Sequence, residues 1–546
     1  MAIQEENKKM AVELQPSKTV TITSQSEFLV RAVILAIALL LLSRNVTGLF
    51  VSWHEANSAL YSYFARNHIQ YGLGYTKLFN TRGDTLTPPA EPNRYLNHPP
   101  LLTLWTAIPM LVFGDHEWVG RSVPIVTTLA SAWLLMIIVS RLQSPLLGLL
   151  SGFFYVTLPV TAYFGRMLDH TSPVQFFSLL MLHGYLQWAG LYGNGYRRTP
   201  GAVYYALGAV LGIGTGWAAV IMAGLIWLWH ICRMFRDSSV WPLLFWLTLI
   251  PAASLAAVII HILWGCHWDR SMLIQLLLSR MDNSQNPLPW TGWFVANWAY
   301  LGANVSVLGV GAAVIYMVII AVVLQRTASD SPFRQIVRNR TSVMPILLTA
   351  LQGLIWVFAF KRQSWIHIYW QYLTAPFFAV AMAAVVLTVF TLLVRLRVRM
   401  AMLVVSVLVL LPMSFFMDSL DMLHQPYLSQ DMRDIFTVFK ELEKLVPLRA
   451  PVMIREEYPQ FSESFGSYTS YWTLSEIAYY ANRPLIHSTD FGEIQANRQG
   501  CAAYVIQLTN DPNSVGLARQ LNEKYKLAWA RKNFLIFLLN QPPKDN

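Results

Sequence analysis

Apolar residues in this chain come in runs long enough to be read by length alone. The first, Phe28 to Phe50, follows a polar stretch from Met1 to Glu27 that carries Lys8, Lys9 and Lys18. About 20 apolar residues in a helix cover the ~30 Å of a bilayer's hydrocarbon core, so this run is predicted to cross. It exceeds the ~7–15 residues of a secretory signal core, which predicts an uncleaved span behind a cytoplasmic tail. Ten further runs follow: Arg121 to Ser140, Pro145 to Tyr163, Pro173 to Tyr192, Ala202 to Gly216, Trp217 to Cys232, Val240 to Trp264, Trp293 to Leu324, Val343 to Phe360, Tyr372 to Val394 and Met400 to Met417. Glycines between Gly212 and Gly216 break one pair into a hairpin.

The stretch from Trp53 to Arg121 is neither a plain loop nor a plain span. Ala56, Ala59, Leu60, Tyr63 and Phe64 have helical spacing, and Glu55, Asn57, Ser58 and Arg66 lie off their face. This predicts an amphipathic helix just past the first membrane exit. Pro99 to Phe113 is apolar as well. Arg141, Arg197, Arg198, Arg233, Arg236, Arg338 and Arg397 all fall on one membrane side only if that run lies in the outer interface without crossing. Short basic clusters favour the cytoplasmic side, so about 11 spans are expected.

From Asp418 the pattern changes to mixed charge and short runs. VMIRE, PLIHS, AAYVIQL and KLAWARKNFLIFLL read as strands, the last a hairpin turning at Arg531, Lys532 and Asn533. Asp431 to Leu445 and Thr473 to Tyr480 read as helices. The expected fold class is an all-α polytopic membrane protein with a small C-terminal α/β domain outside the cytoplasm. Its divisions are a tail over 1–27, a transmembrane domain over 28–417 with a large outer loop over 52–120, and a soluble domain over 418–546.

Composition agrees. The chain is 55% hydrophobic and 13% charged, which places it among multi-pass membrane proteins. Its net charge of +11 sits in clusters between apolar runs, so it is not a nucleic-acid signal. Three scattered cysteines suggest neither a disulfide framework nor a thiolate metal site.

The candidate chemistry gathers at the outer face. Glu55, Asp84, Glu91, Asp115, Glu117, Asp169, Asp269 and Asp282 fall there, with Arg66, Arg94, His98, Arg121, Arg166, His170, His267, Arg270, Lys361, Arg362 and His367. A transporter would place ionisable groups at mid-span, beside broken helices; these spans are nearly charge-free. Any one of the cations also reads as an interfacial anchor. Together the groups suit a phosphorylated lipid, with Arg and Lys gripping phosphate and a carboxylate accepting a proton. Asp169 follows Arg166 at i+3 and can pair with it on a helical turn. His54, His68, His98 and His116 show neither HxxxH nor HExxH spacing, so no metal ligand is assigned and a divalent ion is left as an open alternative.

Four motifs resemble the GT-C glycosyltransferases, specifically the protein-O-mannosyltransferase and aminoarabinose-transferase branch (glycosyltransferase family 39-like). They are HEANSALYSYFARN in the first loop, RYLNHPPLLTLW after it, GRMLDHTSP in the second outer loop and HIYWQYLTAPFFAVAMA late in the membrane part. The resemblance implies a polyprenyl-phosphate-linked sugar donor, an acceptor on the extracytoplasmic face and inversion at the sugar C1. It implies Glu55 as catalytic base, seconded by Asp169. His54 stands where the family has Asp, and so competes for the role. His98 stands where the family has Lys. Arg121, Arg166, Lys361, Arg362, His98 and His367 are expected around the donor phosphate. The alternative readings are a lipid or small-molecule transporter, or an inactive homologue acting in assembly.

Overall fold

The computed structural model describes residues 24–82, 93–193, 198–237, 241–281, 288–325, 340–426, 430–448, 450–455, 476–477, 479–508 and 511–541. Residues 1–23 of the expected tail, Asp84, Glu91, Arg197, Asp282, Arg338 and half of the expected Thr473 to Tyr480 helix lie outside these residues, while 24–27 belong to the first helix.

Each expected apolar run contains a helix, although the first, Phe28 to Phe50, is helical only as far as Leu42. In chain order the elements before the second loop are α1 (Ser24–Leu42), α2 (Ala56–Tyr71), β1 (Asn80–Arg82), β2 (Asn93–Tyr95), α3 (Leu101–Phe113) and α4 (Glu117–Leu142). The membrane part continues with α5 (Pro145–Thr157), α6 (Pro159–Phe164), α7 (Thr171–Trp188), α8 (Arg198–Thr215), α9 (Ala218–Met234) and α10 (Trp241–Gly265). It ends with α11 (Arg270–Met281), α12 (Trp290–Gln325), α13 (Arg340–Ala359), α14 (Lys361–Ile366), a 3-10 segment (Ile368–Thr374), α15 (Ala375–Arg395) and α16 (Ala401–His424). Among the described residues, seven stretches are long and apolar enough to cross a membrane: Gln25–Leu42, Glu117–Leu142, Trp241–Gly265, Trp290–Val323, Ser342–Ala359, Ile368–Arg395 and Ala401–His424.

Three expectations need correcting. The run from Pro145 to Tyr163 is not one helix. It breaks at Leu158, whose ψ is 132°, because Pro159 has no N–H to donate and disfavours a helical residue before it. Secondly, α2 is not half-solvated. Every residue from Ala56 to His68 is buried. Several of its polar groups bond inside the protein: Asn67 Nδ2 donates to the Thr81 carbonyl at 2.7 Å, and His68 bridges Thr76 and Thr103 at 3.0 and 3.1 Å. Thirdly, Arg166 and Asp169 do not pair across a helical turn, since residues 165–170 form turns between α6 and α7.

Helix α3 is 13 residues, about 20 Å, and so too short to cross alone. Its Leu102, Thr103, Thr106, Ala107 and Met110 are buried, while Ile108, Leu111, Val112 and Phe113 are exposed. Helices α7 and α8 pack backbone to backbone. A Cβ on Gly208 would lie 2.5 Å from the Met181 nitrogen, and one on Gly184 would lie 2.2 Å from the Tyr205 nitrogen. Small residues permit this approach between membrane helices.

The C-terminal part contains α17 (Gln430–Leu445), β3 (Val452–Ile454), β4 (Leu485–His487), α18 (Phe491–Asn497), β5 (Ala503–Gln507), α19 (Pro512–Lys524), β6 (Lys526–Arg531) and β7 (Phe534–Leu538). One sheet, in the order β4-β3-β5-β7-β6, holds all five strands. β3 runs parallel to β4 and β5; the β6–β7 hairpin is antiparallel, with Lys532 at φ 54° at its tip. Helices α18 and α19 were not expected, although Asp490 and Asp511 cap them and Pro512 opens α19.

This domain docks on the first loop. The Phe50 amide donates to Tyr480 Oη at 2.7 Å, and Arg66 Nη2 donates to the Tyr479 carbonyl at 2.9 Å. Lys440 pairs with Glu117, and Ser52 bridges Pro426.

Candidate functional site

The site forms where the loop between α1 and α2 meets residues 165–170 and the 3-10 segment. Glu55 ends that loop and is buried. Its Oε1 accepts from Arg121 Nη2 at 2.7 Å, Arg121 Nε at 3.2 Å and Arg166 Nη2 at 3.2 Å. Its Oε2 accepts from the Ser52 amide at 3.2 Å and the Val51 amide at 3.3 Å. Burial alone would raise this carboxyl. The Arg121 and Arg166 charges, with the Arg121 and Ser52 hydrogen bonds, outweigh it and hold Glu55 below the usual carboxylate range.

Arg121 also donates Nη1 to the Val46 and Gly48 carbonyls at 2.7 and 2.6 Å, and Nη2 to Leu49 at 3.3 Å. Its guanidinium is thus committed to folding the loop. Arg166 Nη1 donates to the Arg44 carbonyl. Lys361 donates to the Leu288 carbonyl and lies 4.3 Å from the centre of the Trp290 ring.

Asp169 is buried on the other side of α2's first turn. Asn57 Nδ2 donates to Asp169 Oδ2 at 3.1 Å and to Tyr369 Oη at 2.7 Å, linking three separate segments. The Thr171 amide donates to Asp169 Oδ1 at 3.0 Å. The Leu168 amide is held by Ser58 Oγ at 2.9 Å.

His54 has φ 57°, in the left-handed region that a residue with a Cβ seldom adopts. Its ring centroid is 5.2 Å from Tyr369 and 5.6 Å from His367. Burial lowers its pKa to about 4, so it is a neutral imidazole at pH 7, with a lower proton affinity than a solvated histidine. His367 bonds Gln363 through Nε2 at 3.0 Å. His98 Nε2 lies 3.0 Å from His170 Nε2, and His170 Nδ1 lies 3.8 Å from Asp169 Oδ2.

The fold therefore gathers Glu55, Arg121 and Arg166 in one cluster. It links Asp169 to Tyr369, beside His54 and His367, through Asn57, and to His98 through His170. Lys361 is held at the Leu288 carbonyl and the Trp290 ring. Sequence reasoning did not single out Asn57 or Tyr369. Both lie inside the quoted motifs, HEANSALYSYFARN and HIYWQYLTAP, which was the signal available. Among the described residues, no group of three or more His, Cys, Asp or Glu side chains could hold a metal.

No protein-family model matches the sequence, and no curated protein matches it. Solved structures do. The chain resembles ArnT from Cupriavidus metallidurans, crystallised with undecaprenyl phosphate, over 93% of this chain and 97% of that one, with 11% identity and a TM-score of 0.59. It resembles the Archaeoglobus fulgidus oligosaccharyltransferase, tethered with an acceptor peptide, over 94% of this chain and 74% of that one, with 12% identity and a TM-score of 0.50. The fold is that of the GT-C membrane glycosyltransferases.

Proposed function

We propose that the protein is a membrane glycosyltransferase that moves a sugar from a polyprenyl-phosphate donor to an acceptor on the extracytoplasmic face. The observation that carries this reading is the convergence of Asp169, His54, His367 and Tyr369 beside the docked C-terminal domain, in a chain with this fold. In this reading the acceptor hydroxyl gives its proton to a base and attacks C1 from the face opposite the phosphate, which leaves with its electron pair and inverts the centre.

Geometry favours His54 as that base. Glu55 already accepts five hydrogen bonds, and the His54 ring lies beside His367 and Tyr369. Asp169 orients the acceptor or the developing positive charge at C1. Glu55, Arg121 and Arg166 shape the loop that carries His54. The donor phosphate is assigned to His98, His367 and Arg362, with Lys361 at the edge. The orientation that goes with this function is about 11 crossings, with the N-terminus cytoplasmic and the C-terminal domain outside.

The test is transfer of radiolabelled sugar from a panel of polyprenyl-phosphate sugars to endogenous acceptors, using full-length protein in proteoliposomes. Transfer that depends on the protein is expected with one donor. Donor binding without any transfer favours the second reading, an inactive assembly partner, for which His54 in place of an acid is the specific observation. Absence of both binding and transfer overturns the proposal.

A further inference from the structure

The turn that carries His54 is an uncommon one for a histidine. The Glu55 amide donates to the Ser52 carbonyl at 3.1 Å, closing four residues with Trp53 and His54 in the middle. His54 takes the third position with φ 57°, while Trp53 keeps a negative φ. A positive φ at that position favours Gly or Asn, because a Cβ there crowds the backbone. Such strain persists only where the surroundings over-determine it. Three contacts fix this turn. Glu55 Oε2 accepts from the Val51 and Ser52 amides. Ser52 Oγ donates to the His424 carbonyl, at the end of α16, at 3.2 Å. Tyr163 Oη donates to the Trp53 carbonyl at 2.9 Å. This last bond acts directly on the peptide between Trp53 and His54. The orientation of that peptide separates a turn with a positive φ at its third position from one with a negative φ; the two differ by roughly 150–170° in the angles on either side of it. Tyr163 is itself firmly placed near the end of α6. It is buried, with its ring edge-on to the His424 ring at 4.9 Å and 5.4 Å from the Arg166 guanidinium.

We infer that Tyr163 is a positioning residue for proton transfer: by holding the Trp53 carbonyl, it selects the strained turn that carries the His54 ring beside His367 and Tyr369. This rests on the assignment of the base to His54. The rotamers open to a side chain depend on its φ and ψ. Turning the peptide over would therefore change the set available to His54 and leave its ring without a fixed place. Tyr163 acts on the substrate through His54, and on His54 through the backbone.

Two measurements on full-length protein test this. The first reads the strain without any transfer. Glycine is ordinarily less stable than alanine inside a folded chain, but at a positive φ the order reverses. His54→Gly is therefore expected to have a higher Tm than His54→Ala. Adding Tyr163→Phe to both should abolish or reverse that order, because the peptide can then turn over. A Tm for His54→Gly no higher than for His54→Ala overturns the inference. So does the same order with and without the Tyr163 hydroxyl. The second reads the reaction in proteoliposomes. Tyr163→Phe keeps the ring against His424 and loses only the hydroxyl. Its kcat should fall by about 10–100-fold while KM for the donor is unchanged. The acid limb of its kcat profile should move up from about pH 4 toward about 6.5, since a released imidazole is better solvated. A merely structural loss lowers kcat at every pH alike and leaves the limb in place, which overturns the inference, as does wild-type kcat in Tyr163→Phe. Full turnover in His54→Ala, or no transfer by wild type, overturns the reading on which the positioning role rests, and that role with it. The Tm comparison stands apart from both and tells a failed clamp from a failed function.

Discussion

Glu55 and His54 are neighbours in sequence with opposite surroundings. The backbone turns through a positive φ at His54, so the two side chains leave the loop in different directions. Glu55 goes inward to two arginines, and His54 joins Tyr369 and His367. The acids at 55 and 169 were legible as candidates because charge beside a membrane span is costly and therefore informative. The proposed choice of His54 over Glu55 and Asp169 draws on their surroundings, because sequence spacing does not say how many donors surround a carboxylate. The expected outcomes differ sharply. Glu55→Gln leaves two buried guanidiniums without their counter-charge and should destabilise the fold by roughly 3–5 kcal/mol, read as a fall in Tm of the purified protein. His54→Ala should keep Tm and donor binding while transfer falls by ~10²–10⁴-fold. Wild-type turnover should hold its rate down to about pH 5 and fall as His54 becomes protonated near its pKa of about 4. Full turnover in His54→Ala would return the base to Glu55 or Asp169.

At the scale of elements, run length and apolar period located the membrane helices, because each had to bury its backbone polar groups within itself. Two features escaped that reasoning. One was the break at Leu158, although Pro159 signalled it; the turn it makes sends residues 165–170 back under α2. The other was the burial of the polar side of α2, which an amphipathic pattern assigns to water. That side faces protein instead, and its Asn57, Ser58 and Arg66 tie the loop, the second turn and the C-terminal domain together. The α7–α8 seam carries its own prediction. Gly208→Leu places a side chain against the Met181 backbone, which cannot yield as a flexible side chain would. Overpacking should cost about 1–3 kcal/mol or more, seen as a lower Tm. Gly224→Ala on α9, where nothing lies within 4 Å of the added carbon, should stay within about ±0.5 kcal/mol of wild type. Equal Tm for Gly208→Leu and wild type would mean that the helices are further apart than described.

At the scale of the whole molecule, the C-terminal domain touches the loop that follows α1, so both stand on one side of the membrane. An even number of crossings must lie between them. The proposed topology takes α4, α5 with α6, α7, α8, α9, α10, α12, α13, α15 and α16 as these crossings, ten in all, and leaves α3 in the interface; seven described stretches, α1 included, are long and apolar enough to cross by themselves. The basic clusters are the sequence's reason for expecting that parity. The strand order of the C-terminal sheet was not legible, since pairing between β3 and β5 depends on packing rather than on period. A reporter fused after Asn546 should be active only outside the cytoplasm. Activity inside would remove the topology and, with it, the proposed position of the site.

The hydrogen bond from Phe50 to Tyr480 joins positions 430 residues apart. A ribosome adding ~5–20 residues per second needs roughly 20–90 s to travel that far. In the proposed topology the first loop waits throughout this interval with Arg66 and Asp115 able to pair with each other, while their bonds to Tyr479 and that of Glu117 to Lys440 await the C-terminal domain. The contacts that dock the final domain on the first loop are therefore the last to form. A chain released early would leave an inserted but open loop at the membrane surface, visible to quality-control proteases.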